Sequence, residues 1–293
     1  MLCFRNDIDE QIKIDDVQNI YFYYDDFALF KNYQLHNEEK FLVRITQSEI
    51  AKKEIKRVYR DYEFIIVQHA MFILDMEDEK ELLDKIVLYP MFTGSSYLKS
   101  GEMVPQIYLD KEKKVLSLVK LIISPSGVEK NMLIEDYGVD GNRIIVVPRP
   151  VDYTFSVRKI SDSQKIRLLY IASVRMQKNH LDALRLVKII KERGVDVELH
   201  CIGAIQDDAI FGDCMNYLEI NRLAEHVIFH GNKSHDQIEK IMSICDFNIS
   251  VSQWETFGRG VYEGMVFGLP TLITEKLECI IQADNIGIFP CIV

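Results

Sequence analysis

No stretch of this 293-residue sequence approaches the ~18 consecutive apolar residues of a membrane-spanning helix. Its first residues, MLCFRNDIDEQ, are charged and lack the basic-then-apolar order of a secretory signal. Positive charge is also scarce: 35 Lys and Arg stand against 45 Asp and Glu, a net charge of −10. That balance argues against general nucleic-acid binding, which favours a basic stripe, but leaves room for one anion in a locally positive pocket. The six cysteines, Cys3, Cys201, Cys214, Cys245, Cys279 and Cys291, form no CxxC pair and no metal-type spacing. Several lie in apolar runs such as ELHCIGA, so reduced core thiols in a reducing compartment are expected. Phosphate-loop, Ser-His-Asp and zinc signatures are missing. Asp25-Asp26 and Asp207-Asp208 are adjacent doublets on expected loops, and solvated charge accounts for them better than a metal. These absences leave a cytoplasmic globular protein with no metal and no nucleic-acid partner, and with peripheral contact at the inner membrane face still open.

What is present is an alternation. FIIVQHA (64–70), KIVLYP (85–90), LIISPS (121–126) and IIVVP (144–148) read as buried strands. Between the last two, Val128, Met132, Leu133 and Tyr137 keep helical spacing up to Gly138, a natural helix stop. PRPVDYTFSVRKISDSQK, with two prolines and no period, reads as an inter-domain connection. A second alternation follows: IRLLYIA, VDVELHCIGA, VIFHG and FNISVS as strands, with HLDALRLVKIIKERG, CMNYLEINRLAEH and HDQIEKIMSICD as helices between them. Strict strand–helix alternation implies parallel sheets covered by helices. The expected class is α/β, with two Rossmann-like domains facing across a cleft, residues 1–150 and 151–293. Ligands in such sheets sit beyond the carboxyl ends of strands, which selects the loops after Ala172, Gly203, Gly231 and Ser252. In the first 60 residues, NIYFYYDD and EEKFLVRI look like strands and SEIAKKEIKRVYRDY like a basic amphipathic helix.

The most unusual segment is SQWETFGRGVYEGMVFGLPTLIT (252–274), which places Glu255 and Glu263 eight positions apart around a Phe-Gly-Arg-Gly turn. Val261, Met265 and Val266 suit one face of a helix that Gly268 and Pro270 stop. Glu255 then lies in a strand-to-helix loop and Glu263 one to two turns into the helix. The amides of Phe257, Gly258 and Arg259 would stand at the helix N-terminus, a ready anion site, and Gly258 and Gly260 would let a ligand approach the backbone. Carboxylates on either side of such a cradle suit hydroxyl-rich groups flanking a diphosphate. On spacing alone the plainer account is that Glu255 caps the helix and Glu263 is solvated.

The order Glu-x-Phe-Gly, Glu eight residues after the first, Gly-x-Pro and a strand resembles the donor-site signature of retaining GT-B glycosyltransferases, and more narrowly glycosyltransferase family four. The resemblance implies that Glu255 holds the donor sugar, that Glu263 holds the ribose diol, and that Phe257, Gly258 and Arg259 offer turn amides. LLYIASVRMQKNHLDAL resembles the family's segment with a basic pair, here Arg175 and Lys178, which would neutralise the diphosphate in place of a metal. CIGA resembles the strand end near the donor, with Gly203 as its first glycine and Ala204 in the second glycine's place. VIFHGNKSHDQIEKIMSICDF resembles the segment beside the base, where Gly231 would be a close-approach glycine. Arg175 is spaced more closely to Lys178 than is usual in the family, so a solvated loop cation remains an alternative for it.

The family's opening strand and glycine-rich loop find no counterpart before residue 60, and the sequence stops at IGIFPCIV, before the usual final helices. The N-terminal domain, the acceptor side, is therefore expected to be shortened or atypical. His69 stands where the family's active-site histidine could fall, although a structural role suits it too. The resemblance implies sugar transfer, with retention and without a metal, from a UDP- or GDP-sugar to a sugar, lipid-linked or protein hydroxyl in polysaccharide, glycolipid or glycoprotein synthesis. The donor is a substrate and no cofactor is implied. The alternatives are a GT-B accessory subunit that binds a partner transferase, and a GT-B epimerase or phosphorylase.

Overall fold

A computed structural model describes residues 2–4, 20–22, 39–90, 93–99, 101–151 and 165–281. The chain divides into two compact units, Met1–Pro148 and Arg149–Val293. Most of the connection expected between the domains, residues 152–164, lies outside the described residues, as do Asp25-Asp26, Cys291 and the terminal segment IGIFPCIV.

In the first unit, β1 (Leu2–Phe4) and β2 (Ile20–Phe22) pair in parallel. β1 was not expected from the sequence. EEKFLVRI is not a strand. From Glu39 it belongs to α1 (Glu39–Val58), which buries Phe41, Ser48, Ala51 and Ile55. These positions follow a helical period that a short β-branched run had masked. Four further strands, β3 (Ile65–Gln68), β4 (Ile86–Tyr89), β5 (Leu121–Ser124) and β6 (Ile144–Val146), form a parallel sheet in chain order. The chain also forms α2 (Lys80–Leu83), α3 (Gly94–Lys99), α4 (Gln106–Leu118) and α5 (Gly127–Tyr137). Helix α5 starts where the Ser126 side chain accepts the Glu129 N–H and ends at Gly138, whose φ of 69° only glycine adopts without strain.

One core joins the strand residues Val67, Leu88 and Ile122 to Phe41 and Ile55 of α1, Val115 of α4 and Leu133 of α5. It also encloses a carboxylate. Glu112 of α4 is wholly buried, accepting from Tyr137 Oη (2.5 Å) and the Gly94 N–H (2.7 Å), while Tyr137 Oη accepts the Ser95 N–H (2.8 Å). Burial pushes the Glu112 carboxyl up to about 7, against the pull of these donors and of Arg44.

The second unit is built on β7 (Lys165–Ile171), β8 (Asp196–Ile202), β9 (Val227–Phe229), β10 (Phe247–Ser250) and β11 (Thr271–Ile273), with α6 (His180–Glu192), α7 (Asp208–Ile220), α8 (His235–Ile244), α9 (Arg259–Val266) and α10 (Glu278–Ile281). All its strands are parallel, in the order β11-β10-β7-β8-β9. The central strand β7 has both faces covered. Leu168 and Tyr170 pack with Ala183, Leu184 and Val187 of α6 and Cys214 and Leu218 of α7, while Leu169 packs with Met242 of α8 and with Phe267. Consecutive apolar residues in a strand are the mark of a parallel sheet sandwiched by helices. Helix α7 begins earlier than expected, because Asp207 accepts the Ile210 N–H and caps it, so this half of the Asp207-Asp208 doublet is not simply solvated charge. Cys201, Cys214, Cys245 and Cys279 are buried free thiols. Among the described residues, no helix is long and apolar enough to cross a membrane.

Candidate active site

Strand order locates the site more narrowly than the alternation of elements did. The chain runs outward one way from β7 through β8 to β9, then returns to add β10 and β11 on the other side. The loops after β7 and β10 therefore diverge at a topological switch point, where open parallel sheets bind ligands. They are the loops that carry Arg175, Lys178 and Glu255.

Lys178 ends a single 3₁₀ turn, Met176–Lys178, and Asn179 follows with a left-handed φ of 50° before α6 begins. Its ammonium bonds directly to a Glu255 carboxylate oxygen. The side chains are only 14 % and 11 % exposed, so neither is a solvated loop charge. Burial pushes the Lys178 ammonium down from its usual range, Glu255 counters this, and nearby Arg175 adds to it. Two cations and one carboxylate thus share a partly desolvated corner. Arg175 is half-buried, between the buried Val174 and Gln177.

Glu255 does not cap α9. The N-cap is Gly258, with φ 78° and no side chain of its own to cap the helix. Helix geometry leaves the amides of Gly258 and Arg259 without intrahelical partners, while Phe257 lies one residue before the N-cap. Their side chains have other duties. Phe257 is buried and stacks on Tyr262 with ring centroids 4.6 Å apart. Arg259 reaches Oε1 of Glu263 at 2.6 Å. Glu263 is 7 % exposed, not a solvated residue. Burial pushes its carboxyl up, and the Arg259 guanidinium and His235 oppose that.

Three glycines in this region are held by close protein neighbours. A Cβ on Gly260 would lie 2.4 Å from the Ile171 carbonyl oxygen, and one on Gly264 would lie 2.4 Å from Asn248 Nδ2. A Cβ on Gly203 would lie 2.3 Å from the Ala172 carbonyl oxygen. Gly260 and Gly264 are small because α9 lies on β7 and β10, and Gly203 because β8 ends against the start of the Arg175 loop. Their own side-chain space is filled by protein.

His180, which the sequence reading passed over, is fully buried beside Tyr170 (ring centroids 4.9 Å apart) and Phe229 (6.2 Å). Burial pushes its imidazole down to about 4, so the ring is neutral. Its place at the first position of α6, two residues after Lys178, was the available signal. A further histidine pair was also missed: His200 meets His230 Nε2 at 2.9 Å through Nδ1 and Glu198 at 3.0 Å through Nε2. His69 belongs to the other unit. It follows β3 with a φ of 78°, uncommon for a residue with a side chain, and its ring lies 6.3 Å from Phe72.

Residues 154–280 match the family model described as Glycosyl transferases group 1. An uncharacterized 41.2 kDa protein in the cps region of Klebsiella pneumoniae is 22 % identical over 241 residues, covering 79 % of this chain and 63 % of that protein. Among solved structures, Anabaena Alr3699/HepE in complex with UDP and glucose superposes with a TM-score of 0.67 at 14 % identity, covering 81 % of this chain and 65 % of that one. Sucrose-phosphate synthase from Thermosynechococcus elongatus gives 0.64 at 14 % identity, covering 79 % and 62 %. The chain thus spans less than two thirds of the length of these relatives. Residues 154–280 are thus similar in sequence to group 1 glycosyltransferases, and the α/β fold with its parallel sheets is of the GT-B type.

Proposed function

We propose that this chain transfers a sugar from a nucleoside diphosphate sugar to an acceptor hydroxyl, with retention at the sugar carbon and without a metal. The observation that carries the reading is the part-buried Lys178–Glu255 pair at the switch point of a Rossmann-like sheet, followed eight residues later by the buried Glu263. A donor would enter by exchange. Its diphosphate would take over Lys178, with Arg175 and the first-turn amides of α9 completing the cradle. Glu255, released from the lysine, would accept hydrogen bonds from the sugar hydroxyls. Glu263 would do the same for the ribose diol, once the long Arg259 side chain turned aside.

Cations fixed where negative charge grows on the leaving diphosphate lower the barrier most when water is excluded, and the low exposure of Lys178 supplies that condition. Uridine diphosphate and its sugars are the first donors to test, because the Anabaena relative is seen with UDP and glucose. Surface polysaccharide, glycolipid or glycoprotein synthesis is the proposed setting, the first favoured by a relative from a cps region.

Calorimetry with UDP tests the site. Glu263→Ala is expected to weaken binding about tenfold or more, the cost of one charge-assisted hydrogen bond. UDP affinity indifferent to both Glu263→Ala and Lys178→Ala would place the nucleotide elsewhere. Intact binding with no sugar turnover on any acceptor would favour an accessory subunit instead.

A further inference from the structure

The pairing between β7 and β10 ends early. Its register runs Phe247↔Leu168 and Asn248↔Leu169 and goes no further. Gly260 at the start of α9 lies against the Ile171 carbonyl there. The loops that bring Lys178 to Glu255 thus leave the sheet without a ladder between them. Two buried side chains supply the missing ties. Gln177, 3 % exposed, donates from Nε2 to the Trp254 carbonyl oxygen (2.8 Å), and its own carbonyl oxygen accepts the Gln253 N–H (2.8 Å). Tyr170, projecting from β7, donates its hydroxyl to the Lys178 carbonyl oxygen. With that proton committed, the Ser252 hydroxyl donates to Tyr170 Oη at 3.1 Å.

The ties fall one residue from the chemistry on both sides. Gln177 immediately precedes Lys178, and Trp254 immediately precedes Glu255. A surface amide would be free to serve many roles, but this one is enclosed and both its backbone and its side chain bond the opposite loop. We infer that Gln177 is a positioning residue of the donor site. It locks the Lys178 loop to the Glu255 loop, so that the two backbones hold one separation before and after a diphosphate replaces the direct bond between the charged side chains. Tyr170 anchors the pair to the sheet. The inference rests on the donor-site reading for its purpose, whereas the lock itself can be measured without any donor.

The decisive variant is Gln177→Met, which keeps the length and packing of the side chain and removes the donor to Trp254. Acetylation of Lys178 by an N-hydroxysuccinimide ester, followed by mass spectrometry on the full ligand-free chain, reads how firmly the ammonium is held. Gln177→Met is expected to speed labelling about two- to tenfold, the range of one net hydrogen bond, with Glu255→Gln as the upper reference. Under saturating UDP-sugar the same variant is expected to lower kcat about tenfold to a hundredfold with KM little changed, since small misplacements of a reacting group act on the transition state. In a Lys178→Ala background Gln177→Met is expected to change kcat no further, whereas a general structural defect would add its own loss. Unchanged Lys178 labelling in Gln177→Met, while Glu255→Gln raises it, overturns the lock. If the wild-type chain binds no nucleoside diphosphate, the donor reading falls and the labelling still decides the lock.

Discussion

The two units bury carboxylates in opposite ways. In the first, Glu112 sits inside the core with bonds from Tyr137 and the Gly94 amide, and Arg44 acts on it only through space. In the second, Glu255 and Glu263 lie at the carboxyl ends of the strands and each bonds one long cationic side chain, Lys178 or Arg259. The Glu112 contacts come from groups packed inside the core, so nothing can be exchanged without opening it. A lysine or arginine on a flexible stem can swing to another anion at little cost. The first arrangement serves the fold, and the second is suited to a ligand.

Substitutions can break this contrast. The largest effect is expected from Lys178→Ala, which leaves the part-buried Glu255 beside Arg175 with no ammonium of its own. Release of nucleoside diphosphate from a UDP-sugar should fall by ~10²–10³, the usual cost of one group that stabilises developing negative charge. A loss below threefold would show that Lys178 serves the fold, as Glu112 does.

Next comes Glu112 itself. With its carboxyl pushed up to about 7 from an ordinary 4.5, the folded state holds an extra proton between those values. Stability is therefore fully present below pH 4.5 and declines as pH rises toward 7, by about 3 kcal/mol in all. Thermal unfolding of Glu112→Gln across that range should lack the decline and leave the variant relatively more stable at pH 8. An identical pH profile for wild type and variant would remove the buried proton from the account.

His180 provides the opposite slope in the other unit. Its imidazole is pushed down to about 4 from 6.5, so the unfolded chain holds the extra proton between them. Stability is fully present above pH 6.5 and falls as pH drops toward 4. His180→Phe, which retains an aromatic ring between Tyr170 and Phe229, should flatten that acid limb. Strain from the larger ring takes part of the gain, so about 1–2 kcal/mol is expected at pH 4.5. A limb as steep as in wild type would assign the acid sensitivity to other groups.

Much of this was legible locally. IRLLYIA, VDVELHCIGA and FNISVS form strands where their β-branched and apolar runs fall, and Gly138 stops its helix for the reason expected. EEKFLVRI misled because a short apolar run carries too few turns to separate a strand from a helix. Its helical character shows only once Phe41, Ser48, Ala51 and Ile55 share one buried face. The glycines of the Phe-Gly-Arg-Gly segment were read as room for a ligand, and Gly260 has in addition a close protein neighbour. For Gly260 that neighbour is the Ile171 carbonyl, nearly ninety positions earlier in the chain and invisible to any local pattern.

The sequence by itself determined the alternation of strands and helices, the division of the chain near Pro148 and the eight-residue spacing of Glu255 and Glu263. All three depend on neighbours within a few turns of chain. Only the tertiary structure decided that β10 returns to the side of β7, which brings Lys178 against Glu255 across 77 residues and sets Gln177 between their loops. Strand order is chosen by the burial of both sheet faces together, a property of the whole unit that no single segment carries.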